Sequence, residues 1–199
     1  MSIIILGTPR SGTSCIAGIL HNLGIHMGYR LKCGDAWNPI GYYQDEDIEA
    51  ILHKYLGDWQ FPKWTTMQTS AEVKQWAQNR AEENRVWGVK SNRLVYYLQS
   101  FLEGAGPTKI ILTKRNIEHS KASWQARSGD EPDPVINIAE AIPAALDACG
   151  VKPDLIVDYD HLVENPIFGV TKIARVCGVK VNVDAINIVR KDYRRFGNG

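Results

Sequence analysis

The apolar positions of this chain alternate between short unbroken runs and longer stretches with helical spacing. Four runs are short and rich in β-branched residues, at 2–6, 86–89, 109–113 and 155–158. Each is almost continuously apolar, as strands buried on both faces of a parallel sheet tend to be. Helical patterns fall between and around them, at 12–23, 46–56, 71–83, 94–102, 117–127, 134–148 and 167–177. Strands alternating with helices are βαβ units, so the spacing predicts a three-layer α/β fold with a small central parallel sheet flanked by helices. A ligand of such a sheet lies beyond the carboxyl ends of its strands, and Gly7, Lys90 and Arg115 fall at or just past those ends.

The chain has 199 residues, a length that suits one domain spanning 1–199 with a real core. Its formal net charge is +1, so no overall field points to nucleic acid or to an anionic membrane surface, and any anion site must be built locally. The four cysteines, Cys15, Cys33, Cys149 and Cys177, show neither a C-x-x-C pair nor a nearby histidine partner. That spacing indicates no metal site and no disulfide framework, and a reducing, cytoplasmic setting is the expectation. The apolar run from Ile3 to Leu6 is too short for a membrane span or a signal-peptide core. Gly129 to Pro134 reads as a loop.

The first strand runs into Gly7-Thr8-Pro9-Arg10-Ser11-Gly12-Thr13-Ser14 and then into a helix. This spacing fits the phosphate-binding G-x-x-x-x-G-K-[ST] loop except that Thr13 stands where the lysine belongs, so the expected fold is P-loop NTPase-like. The cation comes earlier instead, as Arg10. The amides of Ser11 to Ser14 open the helix and turn unpaired N–H groups toward an anion. A helix start contributes roughly 0.3 to 2 kcal/mol toward a nearby negative group, and an arginine fork adds charge-assisted hydrogen bonds. Together they suit a diphosphate or a phosphosulfate. A second arginine, Arg115, ends the strand Ile110-Ile111-Leu112-Thr113-Lys114, and Ser123 follows it by eight residues on the next helix.

On these residues the chain resembles the sulfotransferases that use 3′-phosphoadenosine 5′-phosphosulfate (PAPS). Pro9-Arg10-Ser11-Gly12-Thr13-Ser14 matches their 5′-phosphosulfate loop position by position, and Arg115 with Ser123 matches their 3′-phosphate motif. Three further segments are similar in the same order along the chain: Asn38-Pro39-Ile40-Gly41-Tyr42-Tyr43-Gln44-Asp45, Trp87-Gly88-Val89-Lys90-Ser91-Asn92-Arg93-Leu94 and Tyr159-Asp160-His161-Leu162-Val163-Glu164-Asn165-Pro166. There are two departures. Asn92 stands where some cytosolic members carry a histidine base, and Gln44 stands where bacterial members commonly carry a glutamate.

The resemblance implies transfer of a sulfuryl group from PAPS, as co-substrate and without a metal, to a hydroxyl or amine of a small-molecule or carbohydrate acceptor. Pro9, Arg10, Ser11, Gly12, Thr13, Ser14, Arg115 and Ser123 would bind the nucleotide, and Arg194 in the basic C-terminal segment is a further candidate. Arg10 and Lys90 are the candidates to stabilise the leaving group, because fixed cations act on charge that builds in the transition state. Asp45 is the first candidate base and Glu46 the second; acidic residues there also suit a helix N-terminus without any catalytic role. Trp37, Tyr42 and Tyr43 lie nearest the acceptor side. Two other readings stay open: a non-catalytic module that binds PAPS or its desulfated product, adenosine 3′,5′-bisphosphate (PAP), and a P-loop small-molecule kinase. Nothing in the sequence implies a nucleic-acid or membrane partner, and nothing fixes an oligomeric state.

Overall fold

The structure, a computed structural model, describes residues 1–57 and 61–189. In chain order its elements are β1 (Ser2–Gly7), α1 (Thr13–Asn22), α2 (Glu46–Leu56), α3 (Ala71–Glu83), β2 (Trp87–Lys90) and a 3-10 helix (Asn92–Tyr97). They continue with α4 (Leu98–Ala105), β3 (Thr108–Lys114), α5 (Ile117–Ser128), α6 (Asp133–Ala148), β4 (Leu155–Asp158), α7 (Tyr159–Glu164), α8 (Pro166–Cys177) and α9 (Val183–Asn187). All four strands are parallel, in the order β2-β1-β3-β4. The chain leaves β1 for one neighbour and returns to the other side for β3. The carboxyl end of β1 therefore opens at the point where strand order reverses, the usual ligand position in such sheets.

Alternation along β1 sorts its side chains between two cores. Ile4 and Leu6 are buried with Val73 and Ala77 of α3, Phe101 of α4 and Ile138 of α6. Ile3 and Ile5 face the other way, against Ile16 and Ile19 of α1 and Val170 and Ile173 of α8. Each fully buried side chain of this kind contributes roughly 1.5 to 3 kcal/mol, so both faces must be covered and the three-layer arrangement follows.

The 94–102 pattern resolves into the 3-10 helix and α4, because the chain turns tightly on leaving β2 before regular helix begins. Two short helices were not legible from periodicity. One is α7, where the Asp158 carboxylate accepts from the His161 amide at 2.9 Å; the other is α9, capped by Asn182. Among the described residues no helix is long and apolar enough to cross a membrane.

Candidate functional site

The loop after β1 is wound too tightly for side chains at its two glycines. A Cβ on Gly7 would lie 2.7 Å from Thr13 Cγ2 and 3.0 Å from the Thr113 carbonyl. Gly12 sits at φ 93, and a Cβ there would come within 2.1 Å of the Tyr159 ring. Ser11 donates its hydroxyl back to the Thr8 carbonyl at 2.8 Å, which closes the turn. Arg10 is held at φ 67, a left-handed conformation that a non-glycine residue adopts only when its surroundings impose it. Among the described residues no side chain caps α1, so the first amides of that helix keep their capacity to donate to an anion.

Arg10 ties the two predicted anion motifs together. Its Nε donates to Ser123 Oγ on α5 at 3.0 Å, and its carbonyl accepts from Arg115 Nη1 at 3.2 Å. Arg115 in turn lies over the Tyr159 ring and 3.6 Å from Asp160. Lys90 ends β2 beside the loop, and Asn92 donates to the Gly7 carbonyl at 2.6 Å, so its amide pins the strand end. Arg10, Ser123, Arg115, Tyr159, Lys90 and Asn92 line one cleft with Pro9, Thr13 and Ser14, together with the aromatic residues Trp37, Tyr42 and Trp124. Tyr43 instead packs toward His21 and Gly18.

Five cations line this cleft, Arg10, Lys90, Arg93, Arg115 and Arg127, against a single described carboxylate, Glu49. A chain with a net charge of +1 has thus concentrated positive charge at one place. Burial holds the Arg10 guanidinium below its ordinary range, and Arg127 and Arg115 add to this. Burial also pushes the Lys90 ammonium down to about 8, only partly offset by the Glu49 carboxylate. Crowded, desolvated cations of this kind are what a bound polyanion relieves.

Neither predicted base faces the cleft. Asp45 is 1% exposed: one oxygen accepts from the Asp47 amide at the start of α2, and the other pairs with Arg80 at 2.7 Å. It is a buried capping residue, engaged away from the anion loop. Glu46 is exposed and lines only a second, neighbouring cavity. The carboxylate that does reach the cleft is Glu49, one turn further along α2, where it accepts from Gln44 Nε2 at 2.9 Å and from Arg93 Nη2 at 2.6 Å.

Two cleft residues carried a signal that would have found them. Arg127 stands four residues after Ser123, on the same face of α5. It reaches Asp35, which also accepts from the Tyr42 hydroxyl at 2.7 Å, so α5 is joined to the loop that carries Trp37 and Asn38. Arg93 stands three residues after Lys90. Arg194 lies outside the described residues. Among those described, no group of three or more His, Cys, Asp or Glu is arranged to hold a metal ion. The strands that flank β1 end in Lys90 and Lys114, where a magnesium-binding loop of the kinase type would call for an aspartate.

No protein-family model matches the chain, and no curated protein matches it in sequence. Solved structures do match. The sulfotransferase domain of a Synechococcus olefin synthase aligns at a TM-score of 0.59 and 19% identity, over 98% of this chain and 79% of that one. Sulfotransferase STF1 of Mycobacterium tuberculosis aligns at 0.53 and 14%, over 94% and 70%. The sulfotransferase domain of the curacin biosynthetic pathway aligns at 0.51 and 15%, over 98% and 80%. A sugar kinase and a gluconokinase align more loosely, at TM-scores of 0.45 and 0.47. The parallel sheet, the loop after its first strand and the three sulfotransferase alignments together give the chain the fold of the P-loop sulfotransferases.

Proposed function

We propose that the protein transfers a sulfuryl group from PAPS to a hydroxyl or amine acceptor. The observation that carries this reading is the Arg10 bridge, which joins the loop after β1 to Ser123 and Arg115 in one cationic wall. PAPS carries anionic groups at both its 3′ and 5′ positions, and two arginine-bearing motifs from separate elements suit that distribution. ATP carries its charge in one chain of phosphates, for which a loop lysine and a magnesium carboxylate are the usual partners. The tight packing at Gly7 and Gly12 fixes the turn, and the uncapped start of α1 that follows it suits a phosphate as well.

In this reading Gly12 to Ser14 offer amides to the 5′ phosphosulfate, the Ser11 amide being taken by the Thr8 carbonyl, while Arg115 and Ser123 hold the 3′ phosphate. Arg10 and Lys90 counter the charge that develops on the leaving phosphate oxygen, the electrostatic role of preorganised cations in a dry site. Thermal unfolding tests the reading with PAP as probe. PAP without added metal should raise the midpoint, and Arg115→Ala should weaken its binding by about fivefold to 150-fold, the equivalent of 1 to 3 kcal/mol for a lost charge-assisted contact. Stabilisation by magnesium ATP alone, with none from PAP, would refute it.

A further inference from the structure

The cleft meets a second cavity at a shared wall made of Gln44, Glu49 and Arg93. Lys32, Glu46 and His53 complete that second cavity, with Ala50 its one apolar residue. Glu49 therefore stands between the cation-lined cleft and a second chamber lined mainly by side chains with polar or charged ends. Its carboxylate is held from both sides, by Gln44 on one oxygen and Arg93 on the other, and Arg93 is itself fixed by donating to the Gly57 carbonyl at 3.0 Å. Each carboxylate oxygen can accept more than one hydrogen bond, so these contacts orient the group without using it up. The Glu49 side chain is 19% exposed, against 1% for Asp45.

We propose that the second cavity is the acceptor site and that Glu49 takes the acceptor's proton; this rests on the sulfuryl-transfer reading. The acceptor oxygen or nitrogen forms a bond to sulfur as the bond between sulfur and the bridging phosphate oxygen breaks. That oxygen keeps the electron pair and leaves as part of PAP, beside Arg10 and Lys90. The acceptor's proton passes to the Glu49 carboxylate and then to water. Gln44 and Arg93 are positioning residues for Glu49. The lining also selects the acceptor class. Polar and charged side-chain ends, some donating and some accepting, with Ala50 the single apolar residue of the described lining, match a polyhydroxylated or amino-bearing compound such as a sugar or amino sugar. A phenol or sterol would strip water from these charged groups and return only the hydrogen bonds of its single hydroxyl.

The test uses the full chain, radiolabelled PAPS as donor, and two acceptor sets, sugars with amino sugars and simple phenols. PAP affinity is measured alongside by calorimetry. Transfer should go to the first set. Glu49→Gln should lower kcat by about 100-fold or more, the scale of a lost acid–base group, and should abolish the acidic limb of the pH profile while PAP affinity stays within about threefold. Glu49→Asp keeps a charge for Arg93 but draws the carboxylate back, and should lose about tenfold in kcat with that limb retained; it carries the test if the glutamine variant does not fold. A Glu49→Gln enzyme within about threefold of wild-type kcat, or preferential transfer to phenols, overturns the proposal. So does PAP binding without transfer to either set, which would leave a nucleotide-binding module. Failure of the wild-type chain to bind PAP overturns the sulfuryl-transfer reading itself.

Discussion

Replacing Lys90 by methionine should make the protein more stable and less able to hold an anion. Lys90 is 3% exposed, and its ammonium sits near 8 because burial disfavours the charge; Glu49 opposes the shift, while Lys32, Arg10 and Arg127 add to it. In the unfolded chain the group returns to its ordinary value of 10.5. Between those two values the unfolded state binds more protons than the folded one, so this group makes stability rise with pH across that window. Below it, the folded protein carries a buried charge at a cost of about 3 kcal/mol, from ~1.4 kcal/mol for each unit of difference. Methionine keeps the length of the side chain and removes the charge. Lys90→Met should therefore gain about 3 kcal/mol near pH 7, or roughly 6 to 12 °C in Tm for a chain of this size. The gain should shrink toward zero as pH approaches the ordinary lysine range.

Urea unfolding of both proteins at intervals from about pH 7 to pH 10 measures the effect, because every other titrating group cancels in the difference. PAP affinity should fall by about tenfold or more in the variant, since a cation of the cleft is gone. A stability difference that does not change with pH, or a wild-type protein more stable than the variant near neutrality, would refute the argument.

Two more substitutions separate structure from chemistry. Gly12→Ala forces a side chain onto a left-handed residue and into the Tyr159 ring, and should cost about 2 to 4 kcal/mol in urea unfolding together with loss of PAP binding. Asp45→Ala removes both the cap of α2 and one carboxylate of Arg80, which keeps Asp47 at 2.9 Å; the loss should be about 3 kcal/mol, with PAP affinity of the folded protein unchanged. Loss of turnover at unchanged stability in Asp45→Ala would return Asp45 to the role of base.

The two carboxylates show where reading by sequence stops. Asp45 caps α2 and Glu46 opens it, one turn ahead of Glu49, and nothing in the order of residues says which of the three meets the nucleotide side. The rotation of α2 decides it. Ile48 and Leu52 are buried, so Glu49 is carried toward the cleft while Asp45 meets Arg80 of α3. The position of Arg80 is set by packing thirty-five residues away along the chain. The Arg10 contact with Ser123 likewise joins residues 113 apart.

The order of residues alone sets the sheet, the layers and the loop, because each is encoded locally. Unbroken apolar runs make strands, buried throughout in β1 and β2, although β4 at one end of the sheet leaves Ile156 53% exposed, and Gly7 and Gly12 with Arg10 between them permit one tight turn ahead of α1. It also placed Arg115 and Ser123, because a strand end and the next helix follow in fixed order. Tertiary structure decided which charges became partners. Asp45 went to Arg80, Arg127 to Asp35 and Glu49 to Arg93, each across elements distant in sequence. Pairing of buried charges depends on distance and desolvation, and neither exists until the layers have packed.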